Sequence, residues 1–194
     1  MNSFSDLYPF MLGQLKSCPK SIVMQHLYLA AEEFCDKTEA WTFKIEDIDV
    51  VADQQEYELS INYDARVKRI ENVWLDDVDQ ETNTFDLDGE KTLKFRTDYI
   101  PGTADTDGMD VQLVLVPRPT THEFEENFFE RWAMRAFRAK AFADLMFQKD
   151  KAWSDPAQAQ RFLNQYRVSC AEAILNKQRQ NKGGDLRIVP RQFV

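Results

Sequence analysis

The sequence predicts an α+β fold: a helical bundle of long helices with an inserted antiparallel β-sheet or small barrel and an extended C-terminal arm. Apolar residues recur at three- and four-residue steps in both outer parts of the chain, which is typical of amphipathic helices. Between these parts the apolar residues alternate with polar ones, which is typical of strands. We therefore assign residues 1–44 and 118–182 to a helical domain, 45–117 to a β-rich insertion and 183–194 to the arm.

Two helices are predicted before the strands. Ser and Asp in "SFSDLYPFML" are start signals for a short helix. A longer amphipathic helix is predicted over 19–40, where Pro19 suits the first position and an apolar stripe follows: Ile22, Val23, Leu27, Ala30, Ala31, Phe34 and Cys35. The opposite side carries acidic residues that we interpret as a solvated face: Glu32, Glu33, Asp36 and Glu39. Trp41 follows the helix, and we expect its large apolar side chain to pack into the core where the chain changes direction.

The strands are predicted from alternating runs rich in Val, Ile, Tyr and Phe: "IDVVA", "QEYELS", "ARVKRIENVWL", "NTFDL", "TLKFR" and "VQLVLVP". The alternation fails between Val67 and Ile70, which predicts a β-bulge. Asp88-Gly89 predicts a hairpin turn that pairs Phe85 and Leu87 with Leu93 and Phe95. The segment 105–110, "DTDGMD", is expected to be an exposed connection, because Val114 stands where a calcium-binding loop requires a carboxylate.

Two further helices are predicted after the strands. The first follows Thr121 and has a broad apolar face from Phe124 to Phe147. Its opposite face carries Arg131, Arg135 and Arg138, either as a solvated face with internal ion pairs or as a contact with an acidic partner, for which a neighbouring identical subunit would serve. The second helix begins at Pro156 after Ser154 or Asp155 and carries an apolar side: Phe162, Tyr166, Cys170, Ala173 and Ile174.

Charge divides the chain into two parts. Residues 1–121 contain 24 acidic and 11 basic residues, whereas 122–194 contain 9 acidic and 13 basic residues. Neutralisation of phosphates by basic residues is the main source of affinity for nucleic acids, so the acidic part is unsuited to wrapping DNA. Such a surface would let DNA pass without retaining it, and the opposite charges of the two parts favour head-to-tail association of copies.

The C-terminal arm mixes apolar and basic residues after Gly183-Gly184. It is too short to have a core of its own and too apolar for a free tail, so we expect it to dock on this chain or on another one. The residues proposed for docking are Asp185, Leu186, Arg187, Ile188, Val189, Pro190, Arg191, Phe193 and Val194.

No motif in the sequence indicates catalysis, a cofactor or a metal. The three cysteines have neither metal-ligand nor disulfide-framework spacing, and the pair His122 and Glu126 lacks further ligands nearby. Nucleotide-binding, serine-hydrolase and zinc-protease motifs are absent. Cys35 and His26 are too far apart on one helix to act together directly. We also expect neither a signal peptide nor a membrane span, and hence a protein made in the cytoplasm.

The stretch "YLAAEEFCDKTEAWTFKIEDIDVVADQQEYEL", residues 28–59, resembles head-to-tail adaptor (connector) proteins of tailed bacteriophages. The order of elements along the chain is similar to that of the adaptors of short-tailed phages, the tail tubular protein A type. Such sequences often carry Gly-Gln before the Glu-Tyr pair, where this chain has Asp53, Gln54 and Gln55.

The resemblance implies a structural virion protein at the head-tail junction, with no catalysis. It implies a ring, of the dodecameric kind, that lies beneath the portal protein, continues its DNA channel and presents a lower surface to a tail nozzle protein. The arm would dock on the portal, the helices of 122–180 would form the ring body, and the strands of 45–117 would face outward or toward the tail. Two alternatives remain open: an interaction or regulatory module of a bacterial cell, and an enzyme with an unrecognised site.

Overall fold

The computed structural model describes residues 3–121 and 123–181, and this part of the chain is α+β, with four helices and two antiparallel sheets. The helices are α1 (Phe4–Leu12), α2 (Lys20–Thr38), α5 (Pro156–Asn181) and a continuous helix composed of α3 (Glu126–Trp132), a π-helical turn (Ala133–Phe137) and α4 (Arg138–Met146). The strands are β1 (Thr42–Val50), β2 (Glu56–Glu58), β3 (Ala65–Leu75), β4 (Val78–Asp79), β5 (Phe85–Asp88), β6 (Thr92–Phe95) and β7 (Asp105–Pro117).

The larger sheet has the strand order β1-β7-β3-β4. Strand β7 lies in its centre, paired with β1 on one edge and β3 on the other. From Met109 to Pro117 at least every second side chain of β7 is buried, and α2 packs on this strand. The predicted bulge is confirmed, since the pairing of β3 with β7 shifts between Val67 and Arg69. The prediction of a loop at 105–110 is wrong: β7 begins at Asp105, which pairs with Val50 of β1.

The smaller sheet has the order β2-β6-β5, and its hairpin matches the prediction. Phe85 pairs with Phe95 and Leu87 pairs with Leu93. Gly89 has φ 63°, a left-handed conformation that glycine adopts without steric cost. The turn residues Asp88-Gly89 therefore determine the register of the two strands that they join.

The finer parts of the predicted architecture are not confirmed. Within the described residues the two sheets are open and form no closed barrel, since the larger one leaves β1 and the two-residue β4 as edges. A bundle of long helices is also not confirmed: α1 has only nine residues, and α2 packs on β7 as well as on the other helices.

Helices and sheets share one contiguous hydrophobic core. Trp41, which is 0% exposed, lies between α2 and β1 where the chain turns from helix to strand, as predicted. Its ring stacks on Phe128 at 5.5 Å and contacts Phe124 at 4.9 Å and Tyr63 at 5.7 Å. Aromatic clusters of this kind bury large apolar areas, so the packing of Trp41 stabilises the contact between the helices and the larger sheet.

Candidate functional site

The three arginines of the predicted stripe have three different environments. Arg131 is exposed, and its guanidinium lies 5.0 Å from the Trp132 ring. Arg135 is exposed and forms an ion pair with Glu172 of α5, with Nη1 3.3 Å from Oε1. Arg138 is half-buried 6.0 Å from the Phe142 ring, and burial lowers the pKa of its guanidinium. Arg131 and Arg135 therefore remain on the surface as contact candidates.

The π-helical turn lies within this arginine segment. Its last hydrogen bond runs from the Arg138 backbone N–H to the Ala133 carbonyl, five residues earlier instead of four. One extra residue in the turn changes the side of the helix that the following side chains face. The α-helical spacing assumed for the stripe therefore does not hold across residues 133–137, and we find no signal in the sequence that predicts this turn.

Other predicted site residues lie outside the described residues. All of the arm residues, Asp185 to Val194, belong to this group, as does His122. The docking role of the arm therefore stays a prediction. The described part of helix α5 extends to Asn181.

Helix α5 presents an apolar surface to solvent. Val168 is 67% exposed and Leu175 is 52% exposed, and Ala171 between them is also exposed. These positions follow one another at three- and four-residue steps, so they lie on one side of the helix. We call Val168, Ala171 and Leu175 the α5 outer face. Ile174 was predicted on the buried side with Tyr166 and Ala173, but it is 38% exposed, near the outer face.

Basic residues flank the α5 outer face. Arg161, Arg167 and Arg179 are all exposed. Glu172 is the acidic residue of this part of α5, and its carboxylate is engaged by Arg135. The outer face thus combines an apolar centre with positive charge around it, a composition that suits contact with a partly acidic protein surface.

Helix α2 carries an acidic outer face, which we define as Gln25, Leu29, Glu32 and Asp36. Leu29 is 41% exposed beside a shallow depression of about 440 Å³, which Glu33, Asp144 and Arg66 also line. The interpretation of this helix side as a solvated acidic face fits Glu32 and Asp36. It does not fit Glu33, which contacts Lys37 and Lys140, or Glu39, which belongs to a partly buried ion network.

That network joins the C-terminal end of α2 to β3 and α5. Glu39 Oε2 accepts hydrogen bonds from Arg69 Nη2 at 2.7 Å and Lys177 Nζ at 3.1 Å. Both bases also contact the buried Glu71 carboxylate, at 3.2 Å and 3.1 Å. Hydrogen bonding from Arg69 is the main reason that the pKa of Glu39 is lowered to about 2. Arg69 and Lys177 neutralise the carboxylates of Glu39 and Glu71, so we interpret this network as structural.

The opposite end of the larger sheet carries crowded aspartates. Asp47, Asp76, Asp105 and Asp110 line a common depression together with Asp77 and Asp107. A hydrogen bond with Asp105, and its nearby charge, raise the pKa of Asp76. Lys44 reaches Asp110, with its Nζ 2.6 Å from Oδ2. Despite this crowding, no group of three or more His, Cys, Asp or Glu in the described ranges is arranged to hold a metal ion.

The cysteine and histidine that an enzyme would need are separated. Cys35 is fully buried, and burial raises the pKa of its thiol well above its usual range. A thiol with a raised pKa is a weak nucleophile, since the thiolate is the reactive form. His26 lies beside Gln148, with 3.3 Å between their Nε2 atoms, and burial lowers its pKa. The geometry therefore offers no nucleophile and base pair at these two residues.

No protein-family model matches the chain, and no curated protein matches it. None of the helices in the described ranges is both long and apolar enough to cross a membrane. The described surface carries two contrasting helical outer faces, one apolar and basic and the other acidic. The α5 outer face is the one that the sequence analysis missed, although the seven-residue spacing of Val168 and Leu175 is visible in the sequence.

Proposed function

We propose that this chain is a structural subunit of a bacteriophage head-to-tail adaptor, which assembles into a ring between the portal protein and the tail. The observation that carries the proposal is the α5 outer face, where Val168 and Leu175 are more than half exposed on a 26-residue helix. Exposed apolar residues grouped on one helix side are typical of protein-protein contacts. A protein built to join other proteins needs such surfaces, and no catalytic group is required for that task.

The arrangement of charge supports the same proposal. Residues 1–121 have an excess of acidic residues, and residues 122–194 have an excess of basic ones. Opposite charges on different parts of one chain favour heterologous association, which closes into a ring when the rotation between copies allows it. An acidic lining would let DNA pass through the channel with little affinity, because carboxylates repel phosphates.

The parts of the chain receive separate roles in this proposal. The helices of residues 122–180, which include α5, form the ring body. The strands face outward or toward the tail nozzle protein, and the arm from Asp185 to Val194 docks on the portal. In this arrangement the protein belongs to the virion, at the head-tail junction, and needs no cofactor.

The test is the mass of the purified chain, alone and mixed with the portal protein of the same phage, by light scattering with negative-stain images of each peak. We expect a ring-shaped particle in at least one of the two samples. A chain that stays monomeric and does not bind the portal would contradict the proposal and favour an interaction module of another kind.

A truncation tests the role of the arm. We expect a chain that ends at Gly183 to keep the circular dichroism spectrum of the full chain and to lose portal binding. The matched control replaces Val78, an exposed valine on a different surface, with Glu in the full-length chain, and this variant should keep portal binding. Portal binding by the truncated chain would contradict the docking role of the arm.

A further inference from the structure

The outer faces of α2 and α5 both expose apolar side chains. Val168 and Leu175 are seven residues apart on α5, whereas Leu29 of α2 is preceded seven residues earlier by Ile22, which packs against the hydrophobic core. Seven residues correspond to two helical turns, so each pair lies along one helix side. Leu29, Val168 and Leu175 are exposed and Ile22 is half-buried. Val168 and Leu175 therefore form an exposed apolar strip on α5, and Leu29 is the exposed apolar residue of α2 that can pack against it.

Charge makes the two faces complementary. Arg161, Arg167 and Arg179 surround the α5 outer face, whereas Glu32 and Asp36 belong to the α2 outer face. Within the described residues, Glu32 has one basic contact, Arg66 at 4.0 Å, and a hydrogen bond with Tyr28. Asp36 has one basic contact, Lys68, with Nζ 3.2 Å from Oδ1. A carboxylate accepts several hydrogen bonds, so both can accept more from an arginine of a partner.

The two faces cannot meet within one copy. The inner sides of the same helices already pack together, with the Phe34 and Tyr166 rings 6.4 Å apart and Lys177 bonded to the carbonyl of Glu39. The outer faces therefore point away from this contact, and no other part of the described chain covers either of them. Pairing of α5 with α5 of a second copy is disfavoured, because it would bring the arginines of both copies together.

We infer that the α5 outer face of one copy packs on the α2 outer face of a second copy, with Val168 and Leu175 against Leu29 and arginines of α5 against Glu32 and Asp36. This inference rests on the proposed function in that the partner is an identical subunit, and it adds the two surfaces that meet. Because these are different surfaces, each copy keeps one free face after pairing. Association then continues from copy to copy, as a ring requires.

The test uses one disrupting change on each face of the full-length chain. Val168→Glu places an acid in the α5 outer face, and Leu29→Glu places one in the α2 outer face. Both residues are exposed, so we expect melting temperatures close to that of the wild type. Leu29→Gln serves as a milder second variant in case the added charge near Glu32 and Glu33 prevents folding. Val78→Glu is the matched control, since Val78 is 62% exposed on the β3-β4 hairpin.

Sedimentation velocity over a range of concentrations gives the readout. The wild type and Val78→Glu should both self-associate beyond the dimer, and Val168→Glu and Leu29→Glu should each sediment as monomers. An equimolar mixture of the two disrupted variants should form a one-to-one dimer and nothing larger. The dimer forms because the intact α2 face of the Val168→Glu chain meets the intact α5 face of the Leu29→Glu chain.

Every other result overturns the inference. A Leu29→Glu chain that still assembles while Val168→Glu does not would show that α5 pairs with another surface. A mixture that stays monomeric, two variants that both assemble, or a wild type that remains a monomer at every concentration would each contradict the pairing. Portal binding by the wild type is measured in parallel. Rings on the portal together with any of these results would overturn this helix pairing and leave the proposed function standing.

Discussion

Acidic residues lie near both ends of the larger sheet, but their surroundings differ. Basic residues neutralise them at one end, and other carboxylates crowd them at the other. At the end near the helices, Glu39 and Glu71 are held by Arg69 and Lys177, and the pKa of Glu39 is lowered to about 2. At the far end, Asp76 and Asp105 share a hydrogen bond, and the pKa of Asp76 is raised. Charge thus stabilises the fold at one end and opposes it at the other.

The difference follows from what each end is built of. The helix end gathers basic residues from β3 and α5, which tertiary packing brings to the end of α2. The far end consists of turns and irregular strand positions, where Asp47, Asp76 and Asp77 have φ values of 59°, 50° and 63°. Aspartate tolerates this left-handed region better than most residues. The left-handed backbone conformation therefore explains why aspartate occurs at these positions. The repulsion between the carboxylates follows from their proximity.

The largest expected effect lies at the helix end, in the aromatic core beside the ion network. We expect Trp41→Ala to lower the free energy of unfolding by about 3–5 kcal/mol, because it removes a fully buried ring and leaves a cavity. Urea denaturation followed by circular dichroism measures the change. Trp41→Phe is the control: it keeps a ring that can stack on Phe128, and Trp41 Nε1 has no hydrogen-bond partner among the described residues.

Trp41→Phe should therefore lose about 1–2 kcal/mol, clearly less than Trp41→Ala. An alanine variant as stable as the phenylalanine variant would mean that Trp41 does not join the helices to the sheet. The aromatic core near the helix end would then contribute less to the free energy of unfolding than its packing indicates.

A smaller effect is expected from the ion network itself. Glu39→Gln should lower the free energy of unfolding at pH 7 by about 1–3 kcal/mol, since Arg69 and Lys177 each lose one of their two carboxylate partners. The folded-state pKa is lowered, so the stabilisation by Glu39 is complete above its ordinary value of 4.5 and disappears as the pH falls toward about 2. Urea denaturation of both chains between pH 7 and pH 3 should show the difference shrinking below pH 4.5.

Glu56→Gln is the control for that series. Glu56 also has a lysine partner, Lys94, but its side chain is 52% exposed, and exposed ion pairs contribute little because water screens them. We expect a change within about 0.5 kcal/mol at every pH. Equal effects of the two substitutions would contradict a special role for the network at the helix end.

Local patterns predicted the parts of the fold that local contacts determine. Strand β3, residues 65–75, and the hairpin with Gly89 agree with the structure, because alternation and turn residues act between neighbours in sequence. The start of β7 at Asp105 was missed because "DTDG" is typical of a turn. Pairing with β1 on one side overrides that local preference.

The candidate surfaces were only partly predictable, for a similar reason. The acidic side of α2 could be predicted from helical spacing. The partnership of Glu39 with Lys177 could not, since the two residues are 138 positions apart and meet only through packing of α2 and α5. The π-helical turn also changes the grouping of Arg131, Arg135 and Arg138. No local sequence pattern predicts this turn.

The smallest expected effect lies at the far end and has the opposite sign. Asp105→Asn removes one of the crowded charges, and we expect the melting temperature at pH 7 to rise by about 1–2 °C. Because the folded-state pKa of Asp76 is raised by Asp105, ionisation of Asp76 opposes folding above that pKa and ceases to do so below it. The gain should therefore vanish near pH 3. Asp98→Asn, an exposed aspartate outside the cluster, should give no comparable gain, and a loss of stability in Asp105→Asn would mean that this carboxylate supports the β7 terminus more than it repels its neighbours.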